Sequence, residues 1–326
     1  PGRLDEALVR WMAEQLLADR RARLRDGGAA IDERLDLAAL FIDLEVDVRL
    51  RQSPELEQQR QRKSAMSWLL EPTCVRRWLI VGGPGSGKST LTQMLAQQLR
   101  QLQIGPRLPT LPDKLREQVV PVWQGIRTLA GEKSWSASAD LVPVRIALPD
   151  LARWLAGFGP SDEVTVWDFL AERRSLSDPG IRIMWILDGL DEVPASAGRD
   201  GMIRLIRAML GDAARQHDGL VVSTREQGYL GEFDDLDELV LRPLQTPVAI
   251  GYAERLLRAW GDENVEERIR TMRAEFQGVT ELLRTPLHAT MATLLVAQLG
   301  RLPKSRSELF EHYFDLVMRR SEERRV

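Results

Sequence analysis

Two short stretches carry most of the chemistry that this chain can do: GGPGSGKST, Gly82 to Thr90, and ILDGLDEVP, Ile186 to Pro194. In the first, Gly82, Gly83, Gly85 and Gly87, with Pro84 and Ser86 among them, lead into Lys88, Ser89 and Thr90. Glycines let successive amide N–H groups turn toward an anion with no Cβ in the way. A helix starting at Ser89 would aim its positive end, about half a charge, at the same point. The spacing matches G-x-x-x-x-G-K-[ST] from Gly82 to Ser89. Lys88 would then reach the β- and γ-phosphates of a nucleotide, the Ser89 hydroxyl would ligate Mg2+, and Thr90 would lie near the α-phosphate.

The second stretch closes an apolar run, Ile183 to Leu187, with three acids: Asp188, Asp191 and Glu192. Three like charges at the end of a buried strand call for a cation, a water to activate, or both. Asp188 is read as the carboxylate that holds the phosphate-bound Mg2+. Glu192 is the first choice as general base for hydrolysis and Asp191 the second, against the plainer reading of a solvated acidic loop. Arg225 ends VVSTR, where a strand of a parallel sheet would deliver it to the γ-phosphate; a surface salt bridge is its alternative.

The elements that must position these residues are legible as well. VRRWLIVGG (75–83), LVPVRIAL (141–148), RIMWILD (182–188), GLVVSTR (219–225) and DELVLRPL (237–244) read as strands. Helices are expected at 4–25, from Ser89 to about Arg100, around 113–130 and at about 200–217. ALFIDLEVDVRL (39–50) alternates and suggests a further strand. RQSPELEQQRQRKSA reads as a polar linker entering a helix, and TVWDFLAERR opens with a capping pattern, Thr165 to Asp168. Strands separated by helices imply a mostly parallel sheet with helices on both faces. Beyond 245 only helical patterns remain, at about 246–260, 264–277, 278–284, 286–299 and 305–320, the last opened by a Ser305–Glu308 capping box. The expected organisation is a helical lead-in with one strand and a linker over 1–70, a nucleotide-binding domain over 71–245 and a small all-α domain over 246–326.

Composition narrows the partners. The chain has 326 residues, 44% hydrophobic and 29% charged, with a net charge of −3, and these values show no evident nucleic-acid surface. No apolar run approaches the ~18–20 residues of a membrane span. The single cysteine, Cys74, forms no internal disulfide and fits a reducing, cytoplasmic setting. His217, His288 and His312 show no metal-ligand spacing. The N-terminal Pro1 and the helical ending RRSEERRV suggest a piece of something longer.

Together the two motifs resemble those of the NACHT family of STAND NTPases, P-loop switches related to AAA+ proteins. STRE at 223–226 looks like the family's sensor segment. LLRTPLHATMATLLVAQLGRLPKSRSELFEHYFDLVMRR looks like its first helical domain, and LFIDLEV looks like the strand that leads into the nucleotide domain. The family has Asn-Pro-Leu where this chain has Thr285, Pro286 and Leu287. The resemblance implies that Pro286 packs near the adenine. It also implies a winged-helix domain after the helical one, which this sequence does not contain.

The implied function is an ATP/ADP-gated signalling switch. It would bind Mg2+ and nucleotide, hydrolyse ATP slowly and self-oligomerise on activation by an unknown trigger, in immune or antiviral defence. An AAA+-like motor is the main rival, with Arg199 as a conceivable trans finger, though a plain surface arginine fits that position better. A GTP-using NTPase lacks its usual Asn/Thr-Lys-x-Asp element: none of the five lysines, Lys63, Lys88, Lys114, Lys133 and Lys304, sits in one. A scaffold that only binds nucleotide is a further alternative.

Overall fold

The computed structural model describes residues 4–21, 35–50, 63–71, 77–135, 141–157, 170, 180–194, 197–211, 217–275 and 280–323. Its frame is a six-stranded sheet. Strands β1 (Val46–Arg49), β2 (Arg77–Val81), β3 (Leu141–Ala147), β4 (Arg182–Asp188), β5 (Gly219–Thr224) and β6 (Asp237–Leu241) stand in the order β1-β6-β2-β5-β4-β3. Only β1 is antiparallel to its neighbour; the other pairings are parallel. Strand β5 therefore separates β2, which feeds the glycine loop, from β4, which carries the acids.

The central strands are buried on both faces, as parallel strands covered by crossover helices must be. Every residue of β5 is buried, as is every residue of β4 after Arg182. Alternation then sorts their side chains into two apolar clusters. Trp78, Ile80, Met184, Ile186 and Val221 join one; Leu79, Val81, Ile183, Trp185, Leu187, Leu220 and Val222 join the other. Asp218 fixes the start of β4 by accepting from Ile183 N at 2.9 Å and from Trp185 Nε1 at 3.0 Å.

Helices α1 (Glu6–Ala18), α2 (Leu37–Leu40), α3 (Ala65–Leu69), α4 (Lys88–Ile104), α5 (Asp113–Glu132), α6 (Leu148–Leu155) and α7 (Ala197–Gly211) surround the sheet. A second run follows: α8 (Thr246–Trp260), α9 (Val265–Glu275), α10 (Pro286–Leu299) and α11 (Arg306–Glu323). Its boundaries follow the sequence punctuation. Gly261 and Gly300 close α8 and α10 in left-handed backbone, and Thr285 caps α10 by accepting from His288 N at 3.2 Å. Ser305 Oγ accepts from Glu308 N at 3.1 Å, but the Glu308 carboxylate reaches Lys304 N at 2.7 Å instead of closing back on Ser305.

Several expectations need correction. The alternating stretch 39–50 is not one strand: Ala39 and Leu40 end α2, Phe41 to Leu44 belong to no strand, and only Val46–Arg49 joins the sheet. Leu37 N donates to Arg20 O at 2.9 Å, which anchors the short helix where the alternation suggested strand. Helix α4 runs past its expected end near Arg100 to Ile104, Gly105–Thr110 form a 3-10 turn, and α5 follows with Pro121 inside it. The capping pattern at Thr165, the linker at 51–62 and Cys74 lie outside the described residues.

Strand β1, from the lead-in, is an edge of the sheet. A single apolar cluster joins Leu40 of the lead-in, Leu95 of α4, Leu239 of β6, and Leu256, Leu295 and Leu309 of the final helices. No helix among the described residues is long and apolar enough to cross a membrane.

Candidate functional site

The C-terminal ends of β2, β4 and β5 and the first turn of α4 meet at one place, the crevice where open α/β sheets bind ligands. Strand β2 ends at Val81, and Gly82 N donates to Thr224 O of β5 at 3.2 Å, which fixes the start of the glycine loop. Gly82 is buried, Gly83 and Pro84 are exposed, and Gly85, Ser86 and Gly87 are half-buried. Gly85 and Gly87 hold φ of +66° and +94°, a region that side-chain-bearing residues rarely adopt. Space blocks a side chain at Gly85, where a Cβ would lie 2.6 Å from Leu287 Cβ, and is tight at Gly87, where one would meet Leu44 at 3.3 Å and Pro286 at 3.4 Å.

Helix α4 begins directly after Gly87, with no side-chain cap and no acid in its first turn. Its leading amides, Lys88, Ser89 and Thr90, have no intrahelical acceptor by geometry. An uncapped helix start beside a lysine suits an anion. Lys88 Nζ bonds Gly82 O at 2.8 Å and Gly83 O at 3.3 Å, so its ammonium lies folded over the loop. Burial pushes Lys88 below its ordinary value and the nearby Arg225 charge adds to this; Asp191 opposes it most, followed by Asp188 and Glu192. Ser86 Oγ is buried without a partner.

Asp188, at the end of β4, is buried and engaged on both oxygens. Its Oδ1 accepts from Ser223 Oγ at 2.6 Å and from Ser89 Oγ at 3.4 Å. Its Oδ2 accepts from Arg145 Nη2 of β3 at 2.6 Å. Ser223 in turn accepts from Gly189 N at 2.9 Å, tying the acid loop to β5. Asp191 Oδ2 lies 2.7 Å from Arg225 Nε, off the hydrogen-bonding direction, and Asp191 Oδ1 is buried without a partner. Glu192 is exposed, with its carboxyl 3.4 Å from where a Cβ on Gly189 would sit.

The structure thus brings Lys88, Ser89, Asp188, Asp191 and Arg225 together, and sets Pro286 beside the loop at Gly87. Thr90 is half-buried in the first turn of α4. Leu287 N donates to Gly85 O at 3.2 Å, so the start of α10 is seated on the loop. Arg199 is not a surface residue. It is 5% exposed and clamps the acid loop to the segment after β5, donating to Val193 O at 3.2 Å, Gly228 O at 2.9 Å and Glu232 Oε1 at 2.7 Å. Sequence reading passed over Arg145 and Ser223; the one signal for Arg145 was a lone charge inside an otherwise apolar strand.

Among the described residues, no group of three or more His, Cys, Asp or Glu side chains is placed to hold a metal. Ser89 and Asp188 offer two hard oxygen donors, which fits Mg2+ held partly by phosphate oxygens and water. The partnerless Ser86 hydroxyl, the uncapped start of α4 and Lys88 fit a phosphate chain. Compared with protein-family models and with curated proteins, the chain matches none.

Proposed function

We propose that this chain is a nucleotide-gated switch of the NACHT type, with a P-loop NTPase site that binds ATP or ADP with Mg2+ and hydrolyses ATP slowly. The observation that carries the reading is the meeting of Ser89 Oγ and Asp188 Oδ1 at 3.4 Å across 99 residues of sequence. Their convergence supports reading the two motifs as parts of one site.

In this reading Lys88 exchanges its two backbone acceptors for the β- and γ-phosphates. The leading amides of α4 hold the phosphate chain, Ser86 supplies a hydroxyl and Thr90 lies near the α-phosphate. Mg2+, held by Ser89 and Asp188, would supply charge neutralisation at the outer phosphates. Asp191 becomes the first candidate for general base, ahead of Glu192. It is the acid placed beside Lys88 and Arg225, and its buried Oδ1 has no partner, whereas Glu192 is exposed. Arg225 lies against Asp191, and a γ-phosphate would compete for that arginine. Pro286 and Leu44, both against Gly87, would border the base.

The switch energetics are feasible. A ligand at about 1,000 times its dissociation constant stabilises its preferred state by ~4 kcal/mol. Moving a population from 1:99 to 99:1 takes about 5.5 kcal/mol of differential binding. Contacts of Lys88 and Arg225 that require a γ-phosphate, together with a subunit interface formed on self-oligomerisation, would supply that difference. Cytoplasmic immune or antiviral defence, set off by a trigger ligand, is the role such switches serve. The motor alternative loses its candidate finger, because Arg199 is committed inside the fold. GTP use remains the alternative in base choice.

The test is to denature purified protein and identify the released nucleotide by chromatography. Near-stoichiometric ADP is the expected result. An empty site together with rapid ATP turnover would replace the switch with a freely cycling ATPase.

A further inference from the structure

Arg145 lies in the middle of β3 with its side chain largely covered. Its neighbours Val142, Val144 and Ile146 pack into an apolar cluster, while Arg145 faces helix α4. Its side chain is 7% exposed, as is that of Asp188. The guanidinium joins the two halves of the site: Nη2 donates to Asp188 Oδ2 at 2.6 Å and Nε to Thr92 Oγ1 at 3.4 Å. Thr92 Oγ1 in turn donates to Ser89 O at 3.0 Å. The carboxylate is therefore divided. Oδ2 faces a fixed cation, while Oδ1 accepts from Ser223 Oγ at 2.6 Å and looks past it to Ser89 Oγ at 3.4 Å, where a metal would sit.

A guanidinium keeps its charge in any ordinary protein environment. A buried ion loses hydration and needs a partner in its place. Asp188 has that partner within the fold itself. We propose, resting on the nucleotide reading above, that Arg145 is a positioning residue that shares Asp188 with Mg2+ and weakens the site's hold on the metal. Arg145 fixes the rotamer that turns Oδ1 toward Ser89, and it also offsets the charge that would draw the metal in. The site then tolerates a nucleotide without its metal, so Mg2+ can leave while ADP stays. Removing the arginine's charge leaves Asp188 as an uncompensated anion, for which Mg2+ becomes the best available partner.

The experiment measures the affinity of the full chain for N-methylanthraniloyl-ADP by fluorescence anisotropy, once in Mg2+ and once in EDTA. In the wild-type chain the two affinities are expected to differ by less than about tenfold. In Arg145→Gln the ratio is expected to rise by about tenfold, through tighter binding in Mg2+. Arg145→Lys, which keeps a charge, is expected to stay within about threefold of wild type. An unchanged ratio in Arg145→Gln would reduce Arg145 to a core ion pair, and a lower ratio would mean that it orients Asp188 without competing. A wild-type ratio above about 100 would overturn the proposal even if Arg145→Gln does not fold. Absence of binding in both buffers would instead overturn the nucleotide reading, and this one with it.

Discussion

Helix α4 carries two buried polar clusters, and they behave differently. Along its length Gln93, Gln97 and Arg100 face α1. Gln93 Nε2 donates to Asp19 O at 2.7 Å and Arg21 O at 2.8 Å, Gln97 Nε2 to Leu16 O at 2.9 Å, and Arg100 Nη1 to Asp19 Oδ2 at 2.8 Å. Those donors end on the carbonyls and carboxylate that close α1, so the cluster is a fastening. At the N-terminus of α4, Lys88 rests on loop carbonyls, while Ser86 Oγ and Asp191 Oδ1 are buried with nothing to bond. Both clusters are charged and buried. Each keeps some unspent hydrogen-bonding capacity, at Gln93 Oε1 in the first and at Ser86 Oγ and Asp191 Oδ1 in the second. Only the second gathers at strand ends, and that placement marks a ligand site better than burial does.

Substitutions can break or sharpen this contrast. The largest effect is expected in the fastening. Arg100→Ala leaves Asp19 buried without its cation and should destabilise the chain by about 3–5 kcal/mol. Nucleotide affinity of the remaining folded protein should stay within about threefold. Denaturant unfolding beside a binding titration checks both, and a large affinity loss without destabilisation would erase the distinction between the clusters.

At the site, Asp191→Asn should lower ATP turnover by about 100-fold or more while ATP still binds. Glu192→Gln should lower it by less than about tenfold. Steady-state kinetics on the two variants decides the ranking, and the reverse order would return the base to Glu192. Arg225→Ala should reduce the preference for ATP over ADP by about tenfold, the scale of one hydrogen bond to a charged group. Competition titrations read that ratio, and no change would leave Arg225 as a partner of Asp191 alone.

The smallest expected effect concerns His288 at the start of α10. Burial first, and then the Arg306 charge, hold its pKa below the ordinary 6.5. The unfolded chain therefore takes up the proton first, and stability present above about pH 6.5 is lost as pH falls below it. Thermal melts between pH 7.5 and 5.5 should show His288 accounting for about 1–2 °C, an increment that His288→Phe removes.

Much of this was legible in the sequence because the relevant signals are local. The glycine loop, its lysine and the acids after β4 are contiguous strings. The final helices were bounded to within a few residues because Pro286, Gly261 and Gly300 punctuate them. What escaped was contact across the fold. Arg145 and Asp188 are 43 residues apart, and nothing in VPVRIAL says that its charge points toward α4. Arg199 looks like a surface residue in sequence because its acceptors come from two distant segments, the acid loop and the stretch after β5. The 39–50 strand was overcalled because alternation cannot distinguish a paired strand from chain that joins no strand beside a short helix.

The measurement that tests the central claim most directly is a titration of ADP in Mg2+ into the wild-type chain and into Lys88→Ala, followed by calorimetry. The account predicts saturable one-site binding in the wild type and affinity at least about 100-fold weaker in Lys88→Ala, with both proteins equally folded. No saturable binding in the wild type, or equal affinity in the two, would contradict it.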